Sequence, residues 1–92
     1  METNFNRFDS AVRGLSTDRT PVWFMRQAGR YLPEYREVRK KYSFDEMLAA
    51  PGISTEITLQ PIRRFDLDAA VIFADIMTIL WGLDIPFNFS SG

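Results

Sequence analysis

Two short apolar stretches of this sequence are each followed by charged residues that could bind a ligand. Arg26 and Arg30 follow the stretch Pro21–Met25, and Asp75 follows the stretch Ala69–Ala74. An arginine guanidinium donates two parallel hydrogen bonds to the oxygens of one carboxylate or phosphate, and it stays charged when it is partly desolvated. A carboxylate directly after an apolar stretch loses hydration, so it needs a cation or hydrogen-bond donors. These residues indicate a site for an anion, with an N–H group or a positive charge against Asp75.

Positive charge is concentrated around the two arginines. Between residues 26 and 41 two residues are acidic, Glu34 and Glu37, and six are basic: Arg26, Arg30, Arg36, Arg39, Lys40 and Lys41. A solvated helix face is the simpler interpretation of Arg36, Lys40 and Lys41. Arg26 and Arg30 flank Gly29 in a loop and have no helix surface to cover, although Gly29 itself is most simply a turn residue. A structural cap remains the alternative role of Asp75.

The elements that must position these residues follow from hydrophobic spacing and from proline and glycine. Apolar residues recur at spacings of three and four at Phe5, Phe8, Val12 and Leu15. This pattern predicts an amphipathic helix that ends near Gly14. The stretch Pro21–Met25 predicts a strand, and the stretch Ala69–Ala74 predicts a second strand that is buried on both faces.

Three helices are predicted between the two strands. The first covers Glu34–Tyr42, and the second starts after Ser43, which forms a capping-box pattern with Glu46. Pro51–Gly52 ends this second helix. The third helix covers Ile53–Phe65, with a proline at position 61 that should kink or shorten it.

A strand, helices and a second strand predict parallel strands joined by a right-handed crossover. Parallel strands end at the same edge of a sheet, so Arg26, Arg30 and Asp75 are expected to converge there. Beyond Asp75, Trp81–Gly82 and Ile85–Pro86 are turn signals, so we expect a loop there and a short strand near Phe87–Phe89.

Composition excludes several kinds of chemistry. The 92 residues carry 11 Lys and Arg against 12 Asp and Glu, a net charge of -1, which argues against nucleic-acid binding. The chain has no Cys and no His, so disulfides, the usual zinc sites and histidine-based triads are excluded. No apolar run approaches the roughly 20 residues that span a bilayer, and the N-terminus lacks the pattern of a secretory signal. We therefore expect no membrane partner and a cytoplasmic location.

Two blocks of the sequence resemble the uroporphyrinogen decarboxylase family. The sixteen residues 21–36, PVWFMRQAGRYLPEYR, are similar to the N-terminal signature of this family. The blocks 59–65 and 67–76 resemble the second conserved block of the family at a compatible spacing. The resemblance implies an α/β fold, the N-terminal portion of a (β/α)₈ TIM barrel that residues 1–92 leave incomplete.

The resemblance also implies the function. The family removes the carboxyl groups of the four acetate arms of uroporphyrinogen and gives coproporphyrinogen, as a homodimer without cofactor or metal. Asp75 matches the family aspartate that receives the pyrrole N–H groups, and Asp75 and Arg26 are the implied catalytic residues. The implied substrate-binding residues are Arg26, Gln27, Ala28 through its backbone, Gly29, Arg30, Arg39 and Asp75.

Other functions remain open at this point. A related barrel methyltransferase shares the fold, although the block from Arg26 to Arg30 argues against it. A non-catalytic anion-binding module would need only the arginines. At 92 residues the chain is far below the roughly 250 that such a barrel needs, so we expect an N-terminal fragment that is inactive alone.

Overall fold

A computed structural model of the chain describes residues 4–88, and regular structure in this range is helical. The helices are α1 (Asn4–Val12), α2 (Pro33–Lys41), α3 (Phe44–Ala49), α4 (Pro51–Arg64) and α5 (Thr78–Gly82). No helix within this range is long and apolar enough to cross a membrane.

Local signals explain where the helices begin and end. Gly14 has φ +75° and follows α1, where the Leu15 N–H donates to the Ser10 carbonyl at 2.9 Å. This is the glycine-terminated end expected of a helix that stops there. Both bonds of the predicted capping box are present, between the Ser43 hydroxyl and the Glu46 N–H and between the Glu46 carboxylate and the Ser43 N–H. The predictions for these two helices are confirmed.

Proline stands at the first position of both α2 and α4. Pro33 and Pro51 have no N–H to donate, and the first helical position needs none. Helix α4 continues past Pro61 to Arg64, so this proline does not shorten it. Pro61 lies in the last turn of α4, so its missing N–H affects few of the helical hydrogen bonds.

Helices α2, α3 and α4 pack around a small core. Leu32, Tyr35, Met47 and Ile57 are buried at its centre. The ring of Phe73 packs edge-on against Tyr35, with ring centres 5.9 Å apart. The second predicted strand therefore contacts the core through the partly buried ring of Phe73.

The two predicted strands do not form within residues 4–88. We call residues 21–25 and 68–74 the two extended segments. In the described range a single backbone hydrogen bond links them, from the Asp68 N–H, just before the second predicted strand, to the Val22 carbonyl at 2.9 Å. Burial on both faces is also wrong, because Met25 is 80% exposed and Ile72 is 67% exposed. A strand needs neighbours that pair with its backbone, and here side chains satisfy many of those groups instead.

The C-terminal part also differs from the prediction. Residues 78–82, expected to be a loop, form helix α5, and Trp81 stacks on Phe87 with ring centres 4.7 Å apart. Residues 87 and 88 are not a strand, and Phe89 lies outside the described residues. Trp81–Gly82, a turn signal in the sequence, instead forms the end of this helix.

A buried ion pair fastens α1 to both extended segments. One Asp68 oxygen accepts from the Arg7 guanidinium and the other accepts from the Val22 N–H at 2.7 Å, and this side chain is only 1% exposed. Arg7 also binds Asp18 through two bonds of 2.7 and 2.9 Å. In the sequence Asp68 stands between Leu67 and Ala69, directly before an apolar stretch. A carboxylate between two apolar residues was the available signal of this buried pair.

Hydrogen bonds lower the pKa of four carboxyl groups in the described range. The Arg7 guanidinium lowers the pKa of Asp18 to about 2. The Arg64 guanidinium lowers the pKa of Glu34, and the Lys40 ammonium lowers that of Glu37. The pKa of Glu46 is lowered by its capping bonds with Ser43. All four groups therefore favour the folded chain when they are ionised.

We expect acid to destabilise the chain. Carboxylates whose folded pKa lies below the unfolded value stabilise the fold above about pH 4, and this contribution is lost as the pH falls through the folded values. For Asp18 the loss extends to about pH 2. The urea midpoint, followed by helical circular dichroism, should be level from pH 7 to about 5 and then fall. Asp18→Asn should show a shallower fall, and a midpoint that rises on acidification would contradict the assignment.

Candidate functional site

Three predicted binding arginines lie around one cleft of about 710 Å³. The cleft lies between the loop after Met25, helix α2 and the end of the second extended segment. Its lining residues are Arg26, Ala28, Gly29, Arg30, Tyr31, Tyr35, Arg39, Phe44, Phe73 and Ala74. The structure thus brings together five of the seven residues predicted to form the site.

Three arginine side chains give the cleft positive charge. Arg26, Arg30 and Arg39 are exposed, and no carboxylate within residues 4–88 forms an ion pair with them. Burial raises the pKa of the Tyr35 phenol, while the positive charges of Arg39 and Arg30 act in the opposite direction. The cleft therefore offers three guanidinium groups to an anion that carries several carboxylates.

Turns between residues 24 and 32 present Arg26 and Arg30. The Gln27 N–H donates to the Phe24 carbonyl at 3.1 Å, and the Leu32 N–H donates to the Gly29 carbonyl at 3.0 Å. Gly29 has φ +155°, which side-chain-bearing residues rarely adopt. Buried Leu32 anchors the end of this loop in the core, so the loop is held at the mouth of the cleft.

Gln27 connects the two extended segments. Its side chain is buried, its Oε1 accepts from the Phe24 N–H at 2.9 Å, and its Nε2 donates to the Ala69 carbonyl at 2.9 Å. These side-chain hydrogen bonds link the two segments where backbone hydrogen bonds between paired strands were expected. Substrate binding by Gln27 stays a prediction.

Asp75 lies at the edge of the cleft. It is half-buried, and although its neighbour Ala74 lines the cleft, Asp75 is not among the described lining residues. One carboxylate oxygen, Oδ2, accepts from the Met77 N–H at 2.9 Å, and the Asp75 N–H donates to the Thr78 hydroxyl at 3.0 Å. These contacts are those of the structural alternative, a cap on the turn before α5. Within residues 4–88 the Oδ1 atom has no partner.

Two hydroxyl side chains of α4 hold the segment that leads to Asp75. The Phe73 N–H donates to Thr58 Oγ1 at 2.8 Å, and the Phe73 carbonyl accepts from Ser54 Oγ at 2.8 Å. We call these contacts the hydroxyl clamp. The clamp was not predicted from the sequence, although two hydroxyl residues four positions apart lie on the same face of a helix.

The described residues contain no group of three or more acidic side chains placed to hold a metal ion. The polar side chains that line the cleft are guanidinium groups and phenols, and the Asp75 carboxylate lies next to the lining residue Ala74.

Comparisons with known proteins point to one family. The profile described as "Uroporphyrinogen decarboxylase (URO-D)" matches residues 3–92. A protein named uroporphyrinogen decarboxylase from Roseiflexus sp. (strain RS-1) is 53% identical over 87 residues, covering 95% of this chain and 25% of the relative. A protein of the same name from Nitrosococcus oceani is 53% identical over 92 residues, covering 99% of this chain and 26% of the relative. The chain spans about a quarter of the length of these curated relatives.

Proposed function

Because the chain belongs to the uroporphyrinogen decarboxylase family, we propose that it forms part of an enzyme that decarboxylates uroporphyrinogen to coproporphyrinogen. In this proposal residues 1–92 are the N-terminal part of a single (β/α)₈ barrel domain. The observation that carries the proposal is the cleft with Arg26, Arg30 and Arg39, because the substrate bears several carboxylate arms. Family membership further supports a cytoplasmic homodimer that needs no cofactor or metal.

The reaction needs an acceptor for the electron pair that remains when CO₂ leaves. Protonation of a pyrrole ring carbon makes the ring cationic, and the pair from the breaking C–C bond of the acetate arm flows into it. A second proton is then added to the exocyclic carbon and gives the methyl group, while the first proton leaves the ring. The net change at each arm is replacement of the carboxylate by a proton.

Asp75 is proposed to stabilise the cationic intermediate. Its Oδ2 is fixed by the Met77 N–H, while Oδ1 remains available to pyrrole N–H groups. A carboxylate held in place before the reaction stabilises developing positive charge without reorganising, and one such preorganised group contributes about 3 kcal/mol. Its position next to the lining residue Ala74 supports this role.

Arg26 and Arg30 are proposed to anchor the carboxylate arms. A guanidinium has a pKa above about 12, so it is a poor proton donor near neutral pH and a persistent anion partner. Arg39 lies across the same cleft and supplies a third anchor. The backbone of residues 27–29 completes the proposed substrate contacts.

A chimera tests this function directly. In the Roseiflexus relative, the segment that matches this chain is replaced by this chain, and the product is incubated with uroporphyrinogen. The proposal predicts coproporphyrinogen, detected by chromatography after oxidation. The same relative lacking the segment is the control and should be inactive. A folded chimera that binds uroporphyrinogen without decarboxylating it would favour the non-catalytic anion-binding module instead.

In the chimera, Arg30→Lys should raise KM about fivefold and leave kcat within about twofold. Lysine keeps the charge but loses the paired hydrogen bonds of the guanidinium. The KM of the unsubstituted chimera should also rise with salt, because the substrate is a polyanion. Arg13→Lys is the matched control, since Arg13 is an exposed residue that pairs with Asp9. An unchanged KM in Arg30→Lys and no salt dependence would refute the anchoring role.

A further inference from the structure

The hydroxyl clamp satisfies both backbone polar groups of Phe73 with side chains. The Phe73 N–H and carbonyl each form a 2.8 Å bond, to Thr58 and Ser54 respectively. Thr58 also donates its own proton to the Ser54 carbonyl at 2.8 Å. Thr58 is 5% exposed and Ser54 is 6% exposed, so water does not compete for these bonds. The three bonds form one buried network between α4 and the extended segment.

This network directs the Phe73 backbone toward α4. In a strand ladder the same N–H and carbonyl would pair with a neighbouring strand. The Phe73 ring meanwhile packs edge-on against Tyr35 and Phe44, with ring centres 5.9 and 6.2 Å away. Residue 73 is therefore fixed through its main chain and through its side chain.

The clamp lies two residues before Asp75. Phe73 and Ala74 line the arginine cleft, so a shift of the Phe73 backbone moves the start of the turn that carries the Asp75 carboxylate. The bonds of Asp75 to Met77 and Thr78 are local to that turn and do not attach it to the cleft. The hydrogen bonds that attach the preceding residue 73 to α4 are those of the clamp.

We infer that Thr58 and Ser54 are positioning residues for the decarboxylation. They place the Asp75 carboxylate against the substrate held in the arginine cleft. This inference rests on the proposed function. It assigns a role in the reaction to two buried hydroxyls that touch no substrate. Their effect is exerted through Asp75.

The first test compares three substitutions on α4 of the chimera. Thr58→Val keeps the shape of the side chain but removes the hydroxyl, and it should lower kcat about tenfold with KM within about threefold. Thr58→Ser keeps the hydroxyl and should retain kcat within about twofold. Thr55→Val is the matched control, because Thr55 is exposed on the same helix. Equal kcat values for Thr58→Val and the control would overturn the inference.

The second test separates positioning from simple stability. If Thr58 acts through Asp75, then Thr58→Val should lower kcat less than twofold in a chimera that already carries Asp75→Asn. If Thr58→Val reduces kcat by the same factor with and without Asp75, the hydroxyl only stabilises the folded chain. That result would overturn the inference. Should Thr58→Val fail to fold, Ser54→Ala takes its place in the same cycle.

The cycle also has a readout that does not depend on turnover. The dissociation constant for uroporphyrin, the oxidised and fluorescent tetrapyrrole, is measured for the same four proteins. A Thr58→Val effect on this dissociation constant that is present with Asp75 and absent with Asp75→Asn supports positioning, and an equal effect in both backgrounds refutes it. An inactive unsubstituted chimera would refute the proposed function, whereas this binding cycle would still decide the role of the clamp.

Discussion

In the chimera, Asp75→Asn should lower kcat about 100-fold while leaving the fold intact. Asparagine keeps the shape of the side chain and can still accept from the Met77 N–H, so the turn before α5 is preserved. The substitution removes the negative charge that opposes the cationic intermediate, and loss of one preorganised electrostatic group costs about 10²-fold in rate. Single-turnover production of coproporphyrinogen measures the loss, and thermal melting checks the fold.

Two further variants interpret that result. Asp75→Glu retains the charge but moves it by one methylene group, and it should also reduce kcat. Asp84→Asn replaces an exposed aspartate after α5 and should have no effect on turnover. Turnover near the unsubstituted value in Asp75→Asn would refute the electrostatic role and would leave Asp75 as a structural cap.

Asp68→Ala should lower the free energy of unfolding of the chimera by about 3 kcal/mol, more than any of the other substitutions proposed here. The substitution removes a buried carboxylate that accepts from both the Arg7 guanidinium and the Val22 N–H. Breaking a buried pair leaves charged and polar groups without their partner, which costs several kcal/mol. The measurement is the urea unfolding midpoint with its slope.

Asp66→Ala is the matched control for this substitution. Asp66 lies two residues earlier and pairs with Arg19, but its side chain is 71% exposed. Exposed ion pairs contribute about 0–1 kcal/mol, so the control should change the midpoint little. Similar losses for the two variants would show that burial of the Asp68 pair does not matter.

The helices that local chemistry controls could be predicted from the sequence. The capping box at Ser43 and the glycine at position 14 act within a few residues, so their effects are visible in a short window. Helix α5 was missed because Trp81–Gly82 was interpreted as a turn, and Gly82 is instead the last residue of that helix.

Whether the two predicted strands pair into a sheet could not be predicted from local sequence. Pro21–Met25 and Ala69–Ala74 have the composition of buried strands, but pairing is a property of neighbours that lie far away in sequence. In the described range one backbone bond joins these segments, and Gln27 and the hydroxyl clamp bind other backbone groups. The apolar pattern therefore identified extended segments without establishing a sheet.

Sequence reasoning located part of the candidate site, whose role in binding stays a prediction. Charge and spacing indicated Arg26 and Arg30, the family resemblance added Arg39, and all three line one cleft. Convergence of Asp75 with them was expected from parallel strands, yet the described cleft reaches only its neighbour Ala74. The hydroxyl clamp depends on contacts across 15 and 19 residues, which no local pattern displays.

The pair between Arg7 and Asp68 also has a kinetic consequence. Its partners are 61 residues apart, so closing this loop costs more chain entropy than forming the contact between α3 and α4. We therefore expect the short-range helices to form first and α1 to dock late. Asp68→Ala should then raise the unfolding rate and leave the refolding rate nearly unchanged.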